Sequence, residues 1–144
     1  MSDERNIRNY AAGAALSFGV VLFTFQLTAI LLSGKTPDEL QQLNDLLFTL
    51  FVGVHTVGGL VGSFLVARRV SSEHTQTGIV TVILGYVFEN LYFFVFGDRQ
   101  IADVWVLLSL LLGGILGAQF AKTWRVRHGL EIDGGEEPGP ADQK

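Results

Sequence analysis

The chain contains no cysteine among its 144 residues. Disulfides, thiol catalysis and thiolate metal sites are therefore excluded by composition. Charge is scarce as well. Only 17% of the residues are Asp, Glu, Lys or Arg, against about 25% in an average soluble domain. The net charge is −4, and much of the acidity collects in the C-terminal stretch EIDGGEEPGPADQK. No basic surface is left to support a nucleic-acid role. Catalytic signatures are missing too: there is no P-loop, no dinucleotide fingerprint and no H-E-x-x-H. Ser17, Ser63 and Ser109 lack the base that a nucleophile needs. The composition points away from an enzyme, and no cofactor is expected.

Apolar residues and glycine are abundant: 49% of the chain is hydrophobic and 17 residues are glycine. The apolar residues gather in four segments, at about 11–32, 46–67, 78–96 and 104–121. These are 18 to 22 residues long, the length that spans a hydrocarbon layer of about 30 Å at 1.5 Å per residue. Backbone amides inside lipid must bond within their own segment, so each is expected to be a helix. The expected fold class is therefore all-α, an integral membrane four-helix bundle over residues 1–124. An acidic, unstructured tail is expected over 125–144. The first segment is too long for a secretory signal, and no A-x-A-like site follows it, so it reads as a retained anchor.

The loop charges suggest an orientation. Arg5, Arg8, Arg68, Arg69, Lys122, Arg125 and Arg127 flank one side. Lys35 and Arg99 stand on the other, among Asp38, Glu39, Asp45, Asp98 and Asp103. Cytoplasmic loops carry the Lys/Arg excess, so both termini are expected in the cytoplasm of a prokaryotic cell. Trp105, Trp124 and Tyr10 fit interfacial belts. The stretch TPDEL has the form of a helix start, with Thr36 as N-cap, Pro37 at the first position and Glu39 closing a capping box. The second segment is expected to begin there, outside the hydrocarbon, with two amphipathic turns.

Small residues repeat at helical spacing. Gly58 and Gly62 form G-x-x-x-G in the second segment, and Gly113 and Gly117 do so in the fourth. Gly85 lies seven residues after Gly78, and Ala15 and Gly19 share a face of the first segment. Such faces let helix backbones approach closely in lipid. VGGLVGSFLVARRV also resembles LGGILGAQFAKTWRV, a faint internal repeat.

Against this background GYVFENLYFFVF stands out, because it carries Glu89 and Asn90 inside an apolar run. Its ENLYF continues with Phe94 rather than Gln, so it is not a protease-tag scar. Glu89 follows Gly85 by four residues, His55 precedes Gly59 by four and Gln26 follows Gly19 by seven. Each polar side chain thus shares a face with glycine and is expected in a helix seam. A lone charge at that depth costs at least about 2.5–3.5 kcal/mol, so Glu89 needs a partner. His55 is the first choice, and Gln26, Asn90 and a tyrosine hydroxyl complete the candidate polar site. Two readings stand side by side: a clamp that fixes helix pairing, and a proton or cation site. One histidine and one carboxylate fall short of a zinc ligand set.

GGLVGSFLVARR, a short polar loop and GIVTVILGYVFE resemble the small glycine-rich multi-helix membrane proteins of unknown function found in haloarchaea. That resemblance covers the central third of the chain and implies a membrane location without an activity. Small multidrug transporters are also four-helix proteins with a membrane glutamate, but they carry it in the first helix, whereas Glu89 is in the third. Fluoride channels have a G-S-F in the second helix, matched by Gly62, Ser63 and Phe64. They place an Asn where this chain has Gly59, and their third-helix motif is missing here. The expectation is a structural or accessory membrane protein that associates with itself or with a larger membrane complex. A small proton- or cation-coupled transporter or channel is the alternative.

Overall fold

The computed structural model of the chain describes residues 2–70, 73–97 and 103–130, with side chains from residue 7 onward. Helix α1 spans Ser2–Leu32, α2 Pro37–Gln42, α3 Asn44–Ala67, α4 His74–Phe96 and α5 Val104–Arg127. No strand occurs among the described residues. Four of the helices are long and apolar enough to cross a membrane.

The apolar segments located these helices, but the helices outrun them. α1 starts at Ser2 rather than near residue 11, α4 at His74 rather than near 78, and α5 continues to Arg127 rather than stopping near 121. Hydropathy marks only the part of a helix that fits in hydrocarbon. The backbone goes on forming i→i−4 bonds where polar side chains can reach water. α5 therefore takes up the first residues of the stretch expected to be a tail, while 131–144 lie outside the described residues.

The TPDEL reading differs in another way. The capping box forms: Thr36 N donates to Glu39 Oε2 (2.8 Å), and Glu39 N donates to Thr36 Oγ1 (3.4 Å). It opens a separate short helix, however, rather than the first turns of α3. The chain breaks at Leu43, whose φ and ψ of −92° and 1° leave the helical region.

Three polar contacts define one end of the bundle. Arg69 Nη1 donates to Asn9 Oδ1 (3.4 Å), Arg125 Nη1 to the Arg68 carbonyl (3.1 Å) and Gln119 Nε2 to Thr75 Oγ1 (3.1 Å). The N-terminal half of α1, the C-terminus of α3, the N-terminus of α4 and the last turns of α5 therefore meet there. α3 runs parallel to α5 and antiparallel to α1 and α4. α3 and α4 form the centre, touching each other and both α1 and α5; α1 and α5 flank them on opposite sides.

The interior is inverted relative to a soluble domain. Its fully buried positions include Ala14, Ser17, His55, Ser63, Ala67, Thr81, Ala118 and Ala121. Larger side chains gather in one layer, where Val82, Val106 and Leu110 pack with Phe51, Tyr86 and Leu111, and Val21 and Val66 are buried outside it. The outside carries Phe23, Ile30, Leu31, Leu46, Phe94 and Phe96, all strongly exposed. Small residues inside and large apolar residues outside are what lipid selects, since a leucine gains little by leaving it.

Backbones touch at the glycines. An added Cβ on Gly62 would stand 2.5 Å from the Gly13 carbonyl oxygen, and one on Gly58 2.8 Å from that of Ser17, closing α3 onto α1. At Gly113 it would run into the Thr56 carbonyl and at Gly117 into that of Leu60, closing α5 onto α3. The matched glycines of the faint repeat thus do the same work against different neighbours. Gly85 is buried but looser: its nearest atoms would be 3.7–3.8 Å away, ordinary contact. Gly13, Gly59, Gly78 and Gly114 are also points of close approach.

Candidate functional site

His55 sits at the middle of α3, one turn before Gly58 and Gly59, and the backbone contacts at those glycines aim it inward. Glu89 sits one turn after Gly85 on the inner face of α4. The two meet across the α3–α4 seam: His55 is fully buried, Glu89 is 3% exposed, and Nε2 lies 3.0 Å from Glu89 Oε1. The rings of Phe51 and Phe25 stand 4.5 and 5.6 Å from the imidazole, centroid to centroid, and cover it.

The second ring nitrogen decides what this contact can be. His55 Nδ1 is 2.7 Å from the Phe51 carbonyl oxygen. A carbonyl only accepts, so Nδ1 carries hydrogen and donates, which fixes the tautomer from the network. The Nε2–Oε1 contact then holds a single proton. Either the Glu89 carboxyl donates to a neutral imidazole, or imidazolium donates to a carboxylate. Both arrangements have zero net charge, so neither leaves a lone ion at the bilayer centre. That is how an apolar run such as GYVFENLYFFVF tolerates a carboxylate.

The other two candidates are not part of this pair. Asn90 is turned onto its own helix, donating Nδ2–H to the Tyr86 carbonyl (2.8 Å). Gln26 corrects the seam expectation: it is exposed, as are Ala15 and Gly19, and an added Cβ on Gly19 would meet nothing within 4 Å. The packed face of α1 is instead Gly13, Ala14, Ser17 and Val21. Helical spacing correctly grouped Gln26 with Gly19. It could not say which face of α1 was packed, because small residues surround the helix from Ala11 to Gly19.

Ser17 was missed as part of the site. Its hydroxyl is fully buried and has no hydrogen-bond partner among the described residues. It lies one turn from the pair, 3.5 and 3.7 Å from where Cβ atoms would stand on Gly58 and Gly85. The four-residue step from Gly13 to Ser17 was the available signal. Elsewhere in the interior, Ser63 Oγ donates across the seam to the Gly78 carbonyl (3.1 Å), and Thr81 Oγ1 bonds back to Thr77 (2.8 Å). Among the described residues, no group of three or more His, Asp or Glu side chains is arranged to hold a metal ion.

Comparison with protein-family models, curated proteins and solved structures finds no match to this chain. The class therefore rests on the molecule itself. Four long apolar helices, a small-residue interior and a lipid-compatible exterior define a multi-pass integral membrane protein.

Proposed function

We propose that this chain is a non-enzymatic structural or accessory protein of a prokaryotic cell membrane, akin to the small glycine-rich membrane proteins of haloarchaea. It works by associating with itself or with a larger membrane complex, with both termini in the cytoplasm. The observation that carries this reading is the enclosure of the His55–Glu89 pair. His55 is fully buried under the rings of Phe51 and Phe25, Glu89 is almost as deeply buried, and the α3 backbone beside His55 touches α1 at Gly58 and α5 at Gly59. A transport site must meet water on each side in turn, whereas a closed, neutral, hydrogen-bonded pair is suited to fixing helix pairing.

Self-association is supported by α1, the least buried of the four spanning helices. Ala12, Ala15, Gly19, Gln26 and Ala29 form an exposed stripe along it. Gln26 follows Phe25, which packs on His55, so this exposed amide lies near the depth of the pair. An amide in lipid gains by hydrogen bonding to its counterpart on a second copy.

The alternative reading, a proton- or cation-coupled transporter, is favoured by one observation: the proton between Nε2 and Oε1 can sit on either atom, and the unpartnered Ser17 hydroxyl lies one turn away. Glu89→Gln separates the two. As a clamp, it keeps most of the stability, because an amide both donates and accepts. Glu89→Leu loses the bond and leaves His55 unpartnered, at about 1–3 kcal/mol. If Glu89→Gln folds normally but abolishes a pH-dependent ion flux that the unmodified protein supports in liposomes, the clamp reading is wrong.

A further inference from the structure

The end of the bundle defined by the Arg69–Asn9, Arg125–Arg68 and Gln119–Thr75 contacts has a second feature, unrelated to the central pair. α4 begins there without a side-chain cap. Its N-cap residue, Glu73, adopts a left-handed conformation (φ 55°, ψ 34°) and makes no capping hydrogen bond through its side chain. It is the one non-glycine residue with positive φ among those described. Thr77 N bonds to the Glu73 carbonyl (2.9 Å), but the amides before it lie in the turn that has no intrahelical acceptors. A helix N-terminus of this kind carries partial positive charge.

The first residue of that turn, His74, is only 6% exposed, and its Nε2 is buried with no hydrogen-bond partner among the described residues. A polar nitrogen shut off from bulk water is costly unless something bonds to it. Gln119 of α5 bonds Thr75, the residue after His74, and Lys122 and Arg125 follow Gln119 by three and six residues, which brings both cations to this end of α4. Arg125 is held in place by its bond to the Arg68 carbonyl at the end of α3. Lys122 is exposed and free to swing. Arg8, Arg68, Arg69 and Arg127 lie at the same end, and Glu73 is the one acid there with a described side chain. This patch is cationic on a chain whose net charge is −4.

We infer that the α4 N-terminus, with His74, Lys122 and Arg125, binds the phosphate of an anionic lipid headgroup. The amides and the imidazole supply hydrogen bonds, and the two cations supply the charge. Depth selects lipid as the source. The site lies where α4 and α5 leave the apolar span, beside Trp124, which stacks on His128 at 4.3 Å. Tryptophan at the end of a spanning helix marks the headgroup level, and basic pockets between helices at that level recognise lipid phosphates.

The test uses the full chain in mild detergent, with phosphatidylglycerol, phosphatidylcholine and inorganic phosphate as probes. Melting temperature and lipid retention in native mass spectra are the readouts. Phosphatidylglycerol should raise the melting temperature by several degrees and remain bound, and phosphatidylcholine should do neither. Lys122→Ala, at an exposed position, and His74→Gln should each at least halve the phosphatidylglycerol shift while melting normally without lipid. Arg8→Ala, at the same end but on α1, should keep the full shift. Inorganic phosphate reproducing the shift would overturn the lipid assignment. A full shift in both site variants, or an equal loss in Arg8→Ala, would overturn the site and leave only a diffuse basic surface.

Discussion

Replacing Gly113 with alanine tests whether backbone contact between α3 and α5 holds the bundle together. The added methyl would overlap the Thr56 carbonyl oxygen and stand 2.9 Å from both Leu60 N and Thr56 C. All three atoms are backbone, so no side chain can rotate away. α5 would have to move off α3, along the most extensive helix contact in the molecule. That displacement would loosen Gly117 against Leu60 and Gly59 against the Leu110 carbonyl, now 2.6 Å from a Cβ position. Overpacking of this kind costs about 1–3 kcal/mol. The better helix propensity of alanine returns at most about 1 kcal/mol. It returns less in a membrane, where the unpacked segment is already helical. The net expectation is a loss of about 1–2 kcal/mol from these same estimates. Equilibrium unfolding in mixed detergent micelles, followed through Trp105 and Trp124 fluorescence, measures it. Gly85→Ala is the internal control: its nearest neighbours would be 3.7 Å away, so it should be neutral or slightly more stable. A Gly113→Ala protein as stable as the parent, with Gly85→Ala clearly weaker, would refute the assignment of the close contacts.

Three further outcomes are expected. With no native cysteine to interfere, Gln26→Cys should form a disulfide-linked dimer under mild oxidation in membranes, whereas Val21→Cys, on the packed face of α1, should not; equal cross-linking of the two would remove the α1 interface. An impermeant thiol reagent applied to intact cells should label Lys35→Cys and spare His128→Cys, and the opposite pattern would invert the proposed orientation. Hydrogen bonds from the Thr36 backbone amide, the Thr36 hydroxyl and Lys35 hold the Glu39 carboxyl below its ordinary value of 4.5. The stability it lends α2 is therefore complete above that value and lost as pH falls through the lowered one. Amide exchange at Thr36 should accelerate in that range, and an identical acceleration in Glu39→Gln would rule out the carboxylate as its cause.

The four spanning helices and their apolar cores could be read directly from the sequence, because bilayer thickness sets a length and lipid sets a composition. The His55–Glu89 contact was legible for a related reason. Each residue stood one turn from a glycine of its own helix, and burying either alone was too costly to leave unpaired. The Thr36–Glu39 box was equally local and equally visible.

Other features depended on which helix met which, a relation that no single segment encodes. α1 has small residues on every side near Gly13, so only its docking against Gly58 and Gly62 selected the Ser17 face and left Gln26 outside. Gly58 closes on α1 while its repeat partner Gly113 closes on α3. Identical glycine motifs carry no label for their partner, because close approach is a property of two surfaces and the sequence of each helix describes only one.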